Sequence, residues 1–246
     1  MIAVAAPRPR VPLGRFRTPA MVAIALLLLV LFLNVTPGRL GDSFVLTPAF
    51  VTSRLLRHIE LVGISFALSA LIGGGLGIGL ARRGRWGRLV AFLPANLGQA
   101  IPSVGALAIA TTISGLGVTA TVEALTVYGL LPIVRNTVAA LQGVDDSLVD
   151  AARGMGMTGA QSLLRLQLPL AAPGIFAGLR TSLVLIVGTA TLGNFVGGGG
   201  LGDLIAAGYG NFSQHVIITG AVLVAALAIL SDWALSLVET AVTPTI

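Results

Sequence analysis

The chain has 246 residues, 55% hydrophobic and only 10% charged, with a mean hydropathy of +0.97. Soluble domains carry about 25% charged residues, so this much apolar surface cannot be hidden in one globular core, and the chain reads as an integral membrane protein. Cys is absent and every basic residue is Arg, which excludes disulfides, thiolate chemistry and the G-x-x-x-x-G-K-S/T phosphate loop, so any ATPase it works with is another chain.

The N-terminal tail, 1–17, carries four Arg from Arg8 to Arg17 and is expected in the cytoplasm. The apolar run 18–38 is about 20 residues, enough to span a bilayer. A cleaved signal peptide is the rival reading. The run ends in NVTPGRLGDS with no small-x-small site, which favours an uncleaved first helix. Residues 39–57 read as a polar extracytoplasmic linker, followed by a core at 58–238 and a short tail at 239–246. Within the core the second span is expected over His58–Ala81. Its second half is dense in glycine, as befits a face packed on another helix. His58 and Glu60 are expected at its interfacial mouth, and the distance from His58 to His215 weighs against a histidine metal site. The loop 82–88, RRGRWGR, precedes an uncharged stretch too long for one crossing. Gly115-Leu116-Gly117 divides it into a third span at 89–114, interrupted by Pro94 and Pro102, and a fourth at 119–136. A polar insert follows at 135–173. A fifth span is expected at 174–196, the GGGG of 197–200 as a tight outer turn or a gate hinge, and a sixth span at 216–238.

Arginine placement tests this order. With the N-terminus inside, the tail and the 82–88 loop hold eight Arg, and Arg135, Arg153, Arg165 and Arg180 add four. Only Arg39, Arg54 and Arg57 fall outside. That is a strong positive-inside bias and puts the insert in the cytoplasm. It also accounts for the net charge of +6. No basic run is interleaved with aromatics, so nucleic acid is not implied.

Inside the insert, Ser147-x-x-Asp150 and Thr158-x-x-Gln161 have capping-box form. They predict a short helix over 148–153, a turn at Gly154 and Gly156, and a second helix to Gln167 with Leu163, Leu164, Leu166 and Leu168 on it. Pro169 and Pro173 are expected to stop that helix before the fifth span. Ala151 and Ala152, flanked by Asp150 and Arg153, would present a small-residue surface to another protein's groove. A well-capped loop with no partner is the plainer alternative.

The spacing is more specific. Asp150-Ala151-Ala152, then Gly156, Leu166 and Leu168-Pro169, resembles the EAA loop of ABC importer permeases, with Asp for Glu and Leu for Ile. GQAIPSVGALA (98–108), YGLLPIVRNTVAAL (128–141), GVDDSLVDAARGMGMT (143–158) and GLGDLIAAG (200–208) resemble the glycine betaine, carnitine and choline (OpuC-type) branch of that superfamily. The resemblance covers roughly 55–238. It implies an all-α membrane fold of about six spans, of type I (MetI-like) architecture with the N-terminus cytoplasmic. It further implies a cytoplasmic ABC ATPase as partner, a second permease copy or related permease, and an extracytoplasmic solute-binding protein. ATP and Mg would belong to the ATPase, with no cofactor in this chain. Asp150, Ala151, Ala152 and Gly156 would form the ATPase contact, Arg153 its charged neighbour, and Leu166 and Pro169 the rest of the motif. Quaternary ammonium ligands favour aromatic cages, and a chain only 5% aromatic points to the binding protein for that cage.

Polar residues in spans are the remaining candidates. Asn96, Gln99, Pro102 and Ser103 either line the translocation path or pack helices together. Glu123 and Asp232 are intramembrane acids, functional candidates by default, that either serve the path or reach the interface. An ABC permease for another solute, such as an amino acid, or a stand-alone secondary transporter are the competing readings.

Overall fold

The computed structural model describes residues 17–36, 42–83, 86, 89 and 102–242. Among them there is no strand. Five apolar helical segments among the described residues are long enough to cross a bilayer. They are α1 (Arg17–Val35), α3 (Pro48–Ala81), α5 (Val118–Gln142), the compound helix Gly159–Val196 and α10 (Gln214–Val242). Between them lie α2 (Asp42–Val45), α4 (Ser103–Ser114), α6 (Asp146–Gly154) and α9 (Gly202–Gly210). The third expected span is represented by α4, preceded by Pro102; Pro94, Asn96 and Gln99 lie outside the described residues.

Several expected boundaries move. The second span starts ten residues early, because Thr47 accepts the Phe50 N–H at 3.3 Å and Pro48 stands in the first turn, where its missing N–H costs nothing. Much of the expected 39–57 linker is therefore helix. At 34 residues, α3 is about 51 Å long, more than the roughly 30 Å hydrocarbon core, so its first turns stand outside. His58, expected at the mouth of this span, is fully buried against the neighbouring helices. Glu60 is exposed and paired with Arg57 at 2.7 Å.

The larger correction concerns Pro169 and Pro173, which do not stop a helix. The segment Gly159–Val196 runs through α7 (Gly159–Ser162), a π turn at Leu163–Gln167, α8 (Leu168–Thr189) and a 3₁₀ stretch at Ala190–Val196. The wide π turn brings Pro169 in at the first turn of α8, where a proline ring is tolerated. Pro173 is four residues on, so the bond it cannot donate is one to the Pro169 carbonyl.

The centre of the bundle is α5. Fifty-six per cent of its apolar window is buried, against 11% for α1 and 6% for α10. Both α3 and α8 pack on it through small residues, which allow close approach where no hydrophobic drive separates helix from lipid. Gly77 faces Thr137, and a Cβ there would lie 2.6 Å from the Thr137 Cβ; the neighbouring Gly79 faces open space. Ser69 Oγ donates to the Thr126 carbonyl and Ser182 Oγ to the Gly129 carbonyl, at 2.8 and 2.7 Å. Leu61, Leu125, Leu183 and Ile186 fill the space between the three helices.

Ion pairs hold α10. Arg180 of α8 makes a two-pronged contact with Asp232 at 2.7 and 2.8 Å and reaches Glu239 at 3.2 Å. Asp232 is thus engaged in a helix-to-helix clamp. At the other end, His215 Nδ1 lies 3.3 Å from Asp42 and Nε2 lies 2.7 Å from Thr36 Oγ1, which ties the end of α1 to α10.

Gly77→Leu should wedge α3 from α5 and destabilise by about 1–3 kcal/mol, the cost of overpacking. Gly79→Leu should be near neutral. Thermal unfolding of the two variants in detergent, compared side by side, checks the seam.

Candidate coupling site

Helix α5 ends at Gln142, and α6 begins at Asp146 after three intervening residues. The predicted Ser147 cap is not the one used. Asp145 caps α6, its carboxylate accepting the Ser147 N–H at 2.8 Å. Aspartate is among the strongest N-caps, and Asp146 adds a second negative charge at the positive end of the helix. The bonds from Ser147, side chain first, hold the Asp145 carboxyl below the usual carboxylate range. Its depressed value means the cap's contribution is complete above the ordinary Asp pKa of about 4 and disappears only as pH falls through the lower, folded value.

The C-terminus of α6 closes in a Schellman motif. Met157 N–H donates to the Ala152 carbonyl at 3.1 Å and Gly156 N–H to that of Arg153 at 2.9 Å. Gly156 sits at φ +81°, the left-handed position of the motif. The second predicted box is present: Thr158 Oγ1 accepts the Gln161 N–H at 3.3 Å, and Gln161 Oε1 accepts the Thr158 N–H at 2.9 Å.

These caps fix which side chains face out. Leu148, Asp150, Ala151, Arg153, Met155 and Gly156 are exposed. Asp150 and Arg153 pair at 2.9 Å across one turn. Ala152 is 1% exposed, three residues from half-buried Val149 and on the inner face with it. It therefore does not share the outward surface of Asp150 and Ala151 that the sequence predicts. Leu166 lies half-buried in the π turn and Pro169 half-buried at the start of α8. Leu148, Met155 and Leu164 are 45%, 72% and 64% exposed on a segment that faces water. Sequence reasoning passed over Met155 because it sits between two glycines; its place at the helix end, where side chains splay outward, was the available signal. A cavity of about 560 Å³ opens beneath the loop, between Arg82 at the end of α3, Leu141 and Gln142 at the end of α5, and Val149, Leu163 and Gln167.

The path candidates among the described residues are not brought together. Pro102 caps α4 and Ser103 begins it. Glu123 lies beyond the opposite end of α4, its carboxylate accepting Ser114 Oγ at 2.7 Å. About 16 Å of helix at 1.5 Å per residue separates Ser103 from Ser114. Glu123 is exposed beside an apolar groove of about 230 Å³ lined by Ile109, Ile113 and Val127.

A bundle of long apolar helices with a rigid, doubly capped helical hairpin on its arginine-rich side defines a multi-pass membrane permease. The chain belongs to the family described as binding-protein-dependent transport system inner membrane component, whose model matches residues 73–244. It is 39% identical over 188 residues to the glycine betaine/carnitine/choline transport system permease protein OpuCB of Bacillus subtilis (strain 168), covering 76% of this chain and 86% of that one. It is 37% identical over 210 residues to the carnitine transport permease protein OpuCD of Listeria monocytogenes, covering 85% and 94%. Among solved structures, the MetNI methionine ABC transporter in an inward-facing conformation matches with a TM-score of 0.67 and 27% identity over 79% of this chain and 96% of that one.

Gly156→Val should cost at least about 1–2 kcal/mol, because a side chain is forced into the left-handed region. Ala152→Arg should displace α6 from the bundle. Asp145→Ala should fray the start of α6 while Asp145→Asn preserves it. Amide hydrogen exchange across 145–158 reports all four.

Proposed function

We propose that this chain is the membrane-spanning subunit of an ATP-driven, binding-protein-dependent importer for osmoprotectants such as glycine betaine, carnitine or choline. The observation that carries the reading is the capped hairpin 145–161, whose outward face joins Asp150 and Ala151 to exposed Leu148 and Met155. Apolar side chains held out into water on a prearranged helix suit a protein groove. The occupant is a cytoplasmic ABC ATPase, which supplies ATP and Mg; this chain supplies no cofactor. Asp150, Ala151, Arg153 and Gly156 belong to the contact or its geometry. Ala152, Leu166 and Pro169 seat it on the bundle.

The compound helix Gly159–Val196 begins beside this hairpin and ends at the outer turn. Closure of two ATPases would draw two such hairpins together, and the helix would carry the displacement outward as a shift between inward-open and outward-open states. A second permease completes the pore, and an extracytoplasmic binding protein delivers the solute. Support for the solute class comes from the names of the relatives above. Pro102, Ser103 and Glu123 are proposed along the path, together with Asn96 and Gln99.

In liposomes containing the chain with its ATPase and binding protein, labelled glycine betaine should enter only with ATP, and excess choline or carnitine should reduce that uptake. Met155→Asp with Leu148→Asp should lose ATPase co-purification while membrane insertion persists. Uptake that persists without ATP, or an ATPase that still binds the double variant at full strength, contradicts the proposal.

A further inference from the structure

His58 is the one fully buried ionisable side chain among the described residues, and the coupling scheme leaves it without a task. It stands on α3 at the extracytoplasmic end and bonds to two other elements. Its Nε2 is 3.1 Å from the Val187 carbonyl of α8, and its Nδ1 is 3.2 Å from the N–H of Leu201, the residue that precedes α9. A carbonyl only accepts and a backbone N–H only donates, so Nε2 carries the proton and Nδ1 has a free lone pair. Both bonds are made together only by this neutral tautomer.

The Gly197–Gly200 turn is fitted around the ring. Gly197, Gly199 and Gly200 have φ of +79°, +80° and +94°, and a Cβ at Gly200 would lie 2.9 Å from His58 Nδ1. The turn follows the 3₁₀ stretch Ala190–Val196, the tightened end of the helix. The charged groups nearby are already engaged. On α3, Arg54 pairs with Asp203 of α9 at 2.9 Å and Arg57 with Glu60 at 2.7 Å. On α5, Glu123 accepts Ser114. The stretch of α8 and the 3₁₀ helix from Thr181 to Val196 contains no ionisable residue, and at the start of α10 His215 pairs with Asp42.

We propose that His58 is a positioning residue for transport. Its neutral imidazole pins the outer turn and the start of α9 to α3 and α8, so that these outer ends move as one body when α8 is displaced from the cytoplasmic side. A second proton at Nδ1 sets donor against donor at Leu201 and releases the turn. The idea rests on the transport reading above.

The test uses the complete transporter in liposomes, measuring glycine betaine uptake and ATP hydrolysis together. In His58→Ala, two buried backbone groups lose their partner, and solute moved per ATP should fall about tenfold while hydrolysis changes less than about twofold. His58→Gln offers a donor and an acceptor without titrating, and should recover at least half of the coupling. Lowering the external pH well below the ordinary histidine range of about 6.5 should reduce wild-type uptake several-fold, and this acid limb should vanish in His58→Gln. An unchanged ratio in His58→Ala, or an acid limb in His58→Gln that matches wild type, overturns the proposal. If His58→Ala does not insert, the pH profile of His58→Gln decides. If wild type carries none of the three solutes, the substrate reading fails by itself, and hydrogen exchange at the Leu201 amide decides for His58. Protection lost in His58→Ala and kept in His58→Gln supports it; equal protection in all three chains overturns it.

Discussion

A helix that two prolines ought to break joins the two faces of this protein. The π turn at Leu163–Gln167 widens the backbone just before Pro169, and the spacing of Pro169 and Pro173 confines the missing hydrogen bonds to one turn. Gly159–Val196 thereby stays a continuous rod of 38 residues, about 57 Å long. A break at Pro173 would have left the hairpin tethered to the bundle by a flexible joint. The unbroken rod instead fixes the hairpin's orientation relative to the outer turn. Movement imposed at one end is then available at the other without relying on loop conformation.

The rest of the bundle is organised so that the rod is held along its length. Its neighbour α5 offers carbonyl oxygens to serines on both sides: Val122 and Thr126 to Ser65 and Ser69 of α3, and Gly129 to Ser182 of α8. A helical carbonyl has a second lone pair to spare, so these bonds cost the helix nothing and are made where lipid offers no alternative partner. The peripheral helices are held differently. Charged and ring groups fasten α10 to α8 through Arg180, Asp232 and Glu239, and α1 to α10 through Asp42, Thr36 and His215. Small residues thus join the central helices to one another, and ion pairs fasten the peripheral helices to them.

Legibility in the sequence follows the same division. Long apolar runs, the arginine bias and the hairpin with its Thr158–Gln161 box could be read directly, because hydropathy and capping are local properties. Helix ends were misjudged wherever a local signal had a tertiary or geometric remedy. The polar character of Arg54 and Arg57 masked the early start of α3, which their pairing with Asp203 and Glu60 allows. Pro169 was read as a stop because a π turn leaves no composition signature. Ser147 and Asp145 both suit an N-cap, and only backbone geometry chooses between them. The burial of His58 was not legible, because its two partners are backbone groups 129 and 143 residues away, which no pattern in the sequence announces.

The proposed docking face is costly to build, and that cost explains its form. A helix of nine residues is too short to persist in water on propensity alone. Asp145 at one end and the Gly156 Schellman turn at the other supply bonds that its length cannot, and buried Ala152 anchors it to the bundle. The outward side chains are therefore ordered before a partner arrives, so little entropy remains to be lost on docking. Within that ordered face the Asp150 carboxylate already holds Arg153 at 2.9 Å. An exposed pair contributes little to folding, but it sets the direction in which the shorter acidic side chain points. On the proposed docking, a basic group on the partner would share Asp150 with Arg153 rather than meet a free carboxylate, which would leave most of the adhesion to Leu148 and Met155 and the register to the pair.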